Sequence, residues 1–269
     1  MKKLNIIIGT NIITSAVTIS CFLFTSCGIL TTADYNKNFV APKKIALITT
    51  NIGPTFQPTF PLIDAAMFNE GTNAIAPEIV KMQARQVNNI EKLVVANLGT
   101  ALRCEVVSPE KLRELSNFKE IEATTDLHKP LNTTSEVFTN FILSDKSLFP
   151  FQHTNNLLEY LNTNTTYQPV LAKICQSLSV DMLAISYWRL NVVQAGAFGI
   201  YGSLRLESQL FLFDKNGKLA AKGFSHSYPT QVEAKDIGDY AEQMGFAETV
   251  LKTLLAKFYE KMPVTNIPK

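Results

Sequence analysis

Residues that could do chemistry are few and scattered. Three histidines, His128, His153 and His226, lie far apart, and no HExxH or CxxC brings metal ligands to a working spacing. Each therefore reads as a surface histidine, and no metal site is expected. Gly223-Phe224-Ser225-His226-Ser227 has the outline of a nucleophile elbow. It lacks the second glycine, however, and falls on a returning strand rather than a strand-to-helix turn, so it is not read as one. Gly196, Gly199 and Gly202 stand three apart, but they precede a strand, whereas a phosphate cradle needs backbone N–H groups at a helix start. That segment either bends a long hairpin connection or presents Phe198, Ile200 and Tyr201 to a partner. Tyr187 and Trp188 read as core or rim aromatics. No catalytic residue, cofactor or enzymatic activity is expected.

The amino terminus carries the most specific signal. Lys2 and Lys3 form a short positive region, and Leu4 to Thr25 are uncharged and largely apolar before Ser26-Cys27-Gly28. This is the order of a secretory signal. Leu23-Phe24-Thr25-Ser26-Cys27 resembles the bacterial lipobox, with Phe24 where Leu is usual; Cys21, preceded by Thr18, is a weaker alternative. The resemblance implies that Cys27 becomes the first mature residue, is diacylated through its thiol (palmitate being a common chain) and is then N-acylated. An uncleaved anchor would need about 20 apolar residues, and Asn5, Asn11 and several Thr and Ser dilute this stretch. Ile29, not Asp, follows Gly28; in lipoproteins of double-membraned bacteria this implies transfer to the outer membrane. With Cys21 in the signal and Cys27 lipidated, Cys104 and Cys175 remain. An oxidising envelope permits a disulfide between them, while two buried apolar thiols is the plainer reading.

Charge excludes some partners. Removing Lys2 and Lys3 leaves 23 of the 25 basic groups against 23 acidic ones. That balance gives nucleic acid or an anionic membrane surface nothing to hold by bulk electrostatics. Hydrophobic residues make up 46% of 269, enough to bury one sizeable core.

The elements follow from periodicity. Residues 27–42 are short on large apolar groups and read as a tether reaching roughly 20–25 Å. Ile45–Thr50 is a continuous apolar run, typical of a strand covered on both faces. A proline-rich loop with Phe56, Phe60 and Phe68 follows. Pro77 fits the first turn of a helix running to Leu102, with Val80, Val87, Ile90, Val94, Leu98 and Ala101 on one face and Gly99 near its end. Arg103–Ser108 reads as a second strand, completing a βαβ unit. Residues 109–168 read as an insertion: a short helix from Pro109, then Thr/Asn/Ser-rich chain carrying Phe138, Phe141, Phe149 and Phe151, with short amphipathic helices around Phe138–Ile142 and Leu157–Leu161. Val170–Leu178 is helical. An antiparallel meander then runs from Met182 to Gly223 and should form the centre of the sheet. Within it Leu204, Leu206, Leu210 and Leu212 share one face and Arg205, Glu207 and Gln209 the other, as in a half-buried strand. Asn216-Gly217 marks the turn, both residues accepting positive φ cheaply. Tyr240–Met262 is a closing helix, stopped by Pro263, that should pack across the sheet.

This order resembles the small α/β envelope domain at the amino end of TolB, shared in outline by CsgG and LpoB. The resemblance rests on Lys44–Ile48, on Leu178-Ser179-Val180-Asp181 leading into Met182–Ile185, and on the hairpin Leu210–Leu219. It implies an α/β (α+β) fold: a mixed sheet with a βαβ start, a C-terminal meander and helices packed on it. It also implies binding to other envelope proteins without catalysis. The expected organisation is a signal at 1–26, a tether at 27–42, one domain at 43–263 with the 109–168 insertion, and a tail at 264–269. The expected role is an outer-membrane-anchored, periplasm-facing lipoprotein that binds or assembles envelope proteins, with Phe56, Phe60, Phe141, Phe149, Phe198 and Tyr201 as contacts. The alternative is a carrier whose insertion roofs a pocket for a lipid or other hydrophobic ligand.

Overall fold

The structure is a computed structural model and describes residues 30–53, 64–114, 116, 118, 142–144, 147–148, 157–195, 201–233 and 242–263. The chain divides into two units, Met1–Leu30 and Thr31–Lys269. The fold below is that of the second.

Among the described residues, eight strands form one mixed sheet: β1 (Thr32–Tyr35), β2 (Lys44–Ile52), β3 (Glu105–Val107), β4 (Ile142–Leu143), β5 (Met182–Ala195), β6 (Tyr201–Asp214), β7 (Leu219–His226) and β8 (Thr230–Glu233). The main order is β1-β7-β6-β5-β2-β3, with β4 beside β2 and β8 beside β6. β2 runs parallel to both β3 and β5, whereas β5, β6 and β7 form the antiparallel meander. The fold is therefore α/β with the expected βαβ start and central meander. Among the helices that accompany it are α1 (Asp64–Leu102), α2 (Pro109–Arg113), α3 (Leu157–Thr163), α4 (Gln168–Leu178) and α5 (Ala247–Lys261).

Both faces of the sheet are covered. One carries Ile45, Leu47, Met182, Ala184, Trp188 and the four leucines of β6, packed against Val87, Ile90, Val94 and Leu98 of α1 and Val250, Leu254 and Phe258 of α5. The other carries Ala46, Ile48, Leu183, Ile185, Tyr187, Phe211 and Phe213, packed against Leu112 of α2, Leu161 of α3, and Leu171, Ile174 and Cys175 of α4. β6 is thus not half-buried: Phe211 and Glu207, on the face away from its leucines, are as enclosed as the leucines are. The period located the faces but could not show that a second helical layer lies over the second one.

Several boundaries differ from expectation. The segment read as a tether is the sheet's edge: β1 pairs with β7, and Ala33, Phe39 and Ala41 are buried. Small residues suffice there because Tyr35 supplies the bulk, meeting Phe39 and Phe258 edge-to-face and donating its hydroxyl to the Phe258 carbonyl at 2.7 Å. α1 begins at Asp64, so Pro77 lies inside the helix rather than in its first turn. The strong helix formers Ala65, Ala66, Met67 and Glu70 precede it, and the helix continues past the proline despite the lost hydrogen bond and the ring's clash with the preceding turn. Ile142 belongs to a strand, not to an amphipathic helix. Phe138, Phe141, Phe149 and Phe151 lie outside the described residues.

β2 explains why that short strand is needed. A bulge between Leu47 and Thr49 interrupts its pairing. The insertion returns here: Leu148 N–H donates to the Ile48 carbonyl at 2.7 Å and Ser144 N–H to the Thr50 carbonyl at 3.0 Å, while the Ser147 hydroxyl accepts from Thr50 N–H at 2.9 Å. Ser144 in turn donates to Glu91 of α1. The far edge of β2 is thereby closed by β3, this strap and β4 in succession, and its buried backbone groups find partners.

Two helices close on a left-handed residue that is not glycine. After α1, Arg103 adopts φ 54° and Cys104 N–H donates to the Gly99 carbonyl; after α4, Ser179 adopts φ 51° and Val180 N–H donates to the Cys175 carbonyl. Both are Schellman closures, with a side chain where glycine is favoured. In the β6–β7 turn only Gly217 has positive φ, 73°, so Asn216 does not share the conformation the Asn-Gly pair suggested. The Asp214 side chain holds the turn instead, accepting from Asn216 N–H at 2.8 Å and Lys218 N–H at 3.0 Å. A Cβ at Gly217 would also stand 2.1 Å from the Gln168 carbonyl oxygen. Ser179→Gly is therefore expected to raise stability by about 1 kcal/mol, and Gly217→Ala to lower it by more than that. Paired urea unfolding curves check both signs.

Candidate functional site

The site follows from strand register. In open α/β sheets ligands meet the carboxyl ends of the parallel strands. Here β2 ends beside the middle of the longer β5: Asn51 stands opposite Tyr187, Tyr187 opposite Gln209, and Gln209 opposite Phe224. One step further along the same face, Arg189 stands opposite Glu207 and Glu207 opposite His226. Two polar rows thus cross the sheet just beyond the apolar cluster that includes Ile185 and Phe211.

Glu207 is the charged centre and is only 2% exposed. Arg189 donates to its Oε2 from Nε at 3.2 Å and Nη2 at 2.8 Å. Arg205, two residues away on the same strand, donates to its Oε1 from Nε at 2.7 Å and approaches it through Nη2 at 2.6 Å. Each carboxylate oxygen is gripped by one guanidinium, the arrangement arginine's planar fork favours. Two cations on one anion leave a surplus positive charge. The arginine side chains stay 20% and 27% exposed, and each grips Glu207 through its Nε and Nη2. Locked by four donors, the Glu207 carboxylate is placed to orient groups rather than to accept a proton in a reaction.

His226, read as a surface residue, is instead buried on β7 opposite Glu207. Its Nδ1 lies 2.7 Å from the Ser227 carbonyl, which can only accept, so Nδ1 carries the proton. The strand runs on to residue 226, and its period turns 222, 224 and 226 to one face. Gly223 and Ser225 lie within this strand, as the rejection of a nucleophile elbow required. Ser227 just beyond it is structural: its hydroxyl accepts from Leu206 N–H at 2.9 Å and donates to buried Gln243 at 2.7 Å.

Asn51 is the anomaly. It is wholly buried, yet neither atom of its carboxamide has a hydrogen-bond partner, and the Thr49 hydroxyl on the same face has none either. An unpaired buried amide costs about 1–3 kcal/mol. Tyr187 beside it has its phenol pushed up to about 12 by burial, against a lowering by Arg189 and with a further rise from Glu207. A Cβ at Gly53 would lie 2.3 Å from the Tyr187 hydroxyl oxygen, so glycine is what lets the ring sit there.

Of the residues anticipated from sequence, Cys27, Phe56, Phe60, Phe141, Phe149 and Phe198 lie outside the described residues. Tyr201 opens β6 opposite Glu233 of β8, with its side chain outside them too. Cys104 and Cys175 are free thiols rather than a bridge. They belong to clusters on opposite faces of the sheet, which is the physical reason they do not join. Trp188 and Tyr187 are core, as expected. Sequence reasoning missed the Arg189–Glu207–Arg205 triad and Asn51. A signal existed: Arg205 and Glu207 are two apart on a strand, hence on one face and of opposite charge. Among the described residues no group of acidic, histidine and cysteine side chains is arranged to hold a metal ion.

No protein-family model matches the chain, and no curated protein does. Among solved structures it is similar to PelC from Paraburkholderia phytofirmans, crystallised as a dodecamer. A point variant in space group C2 is 8% identical, with 86% of this chain and 97% of that chain covered at a TM-score of 0.31. A second PelC dodecamer, in space group P6, is 9% identical, with 86% and 98% covered at a TM-score of 0.28. Likeness that loose says nothing of what this chain binds.

Two expectations follow from these environments. Burial raises Cys104 from 9.0 to about 11, Cys175 from 9.0 to about 12 and Tyr187 from 10.0 to about 12, Asp181 adding to both thiol shifts. Above pH 9 the unfolded chain loses these protons while the folded chain keeps them. Stability should thus be intact below pH 9 and fall steadily toward pH 12, in denaturant titrations at stepped pH. Glu207→Gln strands two partly buried guanidiniums and should cost about 3 kcal/mol, whereas the triple change Glu207→Leu, Arg189→Met, Arg205→Met should cost much less. Thermal unfolding of the two variants distinguishes them.

Proposed function

We propose that this protein is a lipoprotein, acylated at Cys27 and held at the outer membrane facing the periplasm. Its α/β domain, of the kind TolB, CsgG and LpoB resemble in outline, serves as a non-catalytic binding and assembly module for an envelope protein. The observation that carries this reading is where the domain starts. β1 is part of the sheet from Thr32, and only Gly28, Ile29 and Leu30 separate Cys27 from Thr31. That connection spans at most about 14 Å, so an acylated Cys27 would keep the domain against the bilayer. A protein held this way is suited to meeting partners that reach the same membrane. The locked state of Glu207 supports recognition over proton transfer. The carrier reading draws less support, because Leu112, Phe118, Leu148 and Leu161, described residues of the insertion, are packed into the core.

Cys27→Ala should move the protein from the membrane to the soluble fraction and abolish incorporation of an alkyne-labelled palmitate. Persistence of both in the variant would exclude Cys27 as the anchor. In-cell crosslinking of the native form should give protein adducts that the variant loses; lipid co-purifying in their place would favour the carrier.

A further inference from the structure

Two independent features converge where β2 ends beside the middle of β5. One is a fully buried carboxamide, Asn51, whose donor and acceptor are both unpartnered. The other is a pair of guanidiniums, Arg189 and Arg205, sharing a single carboxylate, so that one positive charge is in surplus at a partly exposed position. Tyr187 stands between them in register, across from Asn51 and two residues before Arg189. Diagonal neighbours of this kind stand about 7–8 Å apart, a gap that arginine's long stem can close.

Each feature restricts what would bind. One surplus positive charge suits a monoanion, and guanidinium pairs well with a planar carboxylate. Asn51 offers an N–H donor and a C=O acceptor together, the complement of an amide, which likewise offers one of each. A phosphate dianion would bring two negative charges to one surplus positive charge, and its tetrahedral oxygens and single O–H do not match the side-by-side donor and acceptor of a planar carboxamide as an amide does. We propose that Asn51, Tyr187, Arg189 and Arg205 form a binding site for the end of a peptide with a free carboxylate. The carboxylate takes the Nη1 groups of the two arginines, and the amide before it pairs with the Asn51 carboxamide. Glu207 is a positioning residue, aligning the guanidiniums. The site does not depend on the anchor, so loss of the lipid reading would leave it standing.

The test uses the full-length protein in detergent with N-acetyl-dialanine, the same compound as its C-terminal amide, and inorganic phosphate, read by thermal shift and calorimetry. N-acetyl-dialanine should bind saturably and raise Tm, and the C-terminal amide should not. Asn51→Leu should weaken that binding at least tenfold while leaving the Tm of the ligand-free protein unchanged or higher, since it removes an unpaired buried amide. Arg205→Met, which keeps the Arg189–Glu207 pair, should weaken binding without preventing folding. Three results would each overturn the proposal: no shift with N-acetyl-dialanine, an equal or larger shift with phosphate, or wild-type binding by Asn51→Leu. A markedly lower Tm for ligand-free Asn51→Leu would also count against it, indicating that buried water already satisfies the amide.

Discussion

β5 has neighbours on both edges and packing on both faces, and most of the structure follows from enclosing it. It pairs in parallel with β2 and antiparallel with β6, and from Met182 to Leu190 every side chain is buried except Arg189. A strand in that position has no water to satisfy its polar groups, so each must find a partner inside the protein. Trp188 donates its indole N–H to Ser186 at 2.7 Å, and Arg189 finds Glu207. Asp181, just before the strand, accepts from the N–H groups of Lys43 and Lys44 at 2.8 and 3.0 Å, tying together the starts of the two parallel strands.

The same enclosure forces a three-layer arrangement. α1 and α5 cover one face, and α2, α3 and α4 the other. The 109–168 segment is consequently not an ornament on a finished domain. It supplies part of the second layer and closes the exposed edge of β2 through Ser144, Ser147 and Leu148. Gly223 shows how tight the first layer is: a Cβ there would lie 2.3 Å from the Phe258 ring. Tyr259, on the same helix, takes the guanidinium of Arg103 over its ring, fastening the end of α1 to α5.

Against that economy Asn51 stands out. Other polar atoms of the described core are bonded in sets, as in Ser227–Gln243–Thr230 and Ser144–Ser147–Glu91. Only the single hydroxyls of Thr49, Thr50 and Ser208 also lack a partner there, whereas Asn51 leaves both a donor and an acceptor unpaired. Folds break such local consistency chiefly at functional or strained sites.

The sequence alone determined the elements and their facing. Ile45–Thr50 had to be buried because an unbroken apolar run leaves no polar side for water; the leucines of β6 had to share a face because strand side chains alternate; and Val170–Leu178 had to be helical because its apolar residues recur three and four apart. These depend on neighbours in the chain, which spacing reports. Only tertiary structure decided that β1 is an edge strand, that Cys104 and Cys175 lie on opposite faces, and that Glu207 is clamped from two strands. Arg189 and Glu207 are 18 residues apart, and Asn51 meets Tyr187 across far more chain. The candidate site is therefore a product of register between distant strands. Local periodicity fixes which face a residue occupies, but not which residue of another strand will stand beside it.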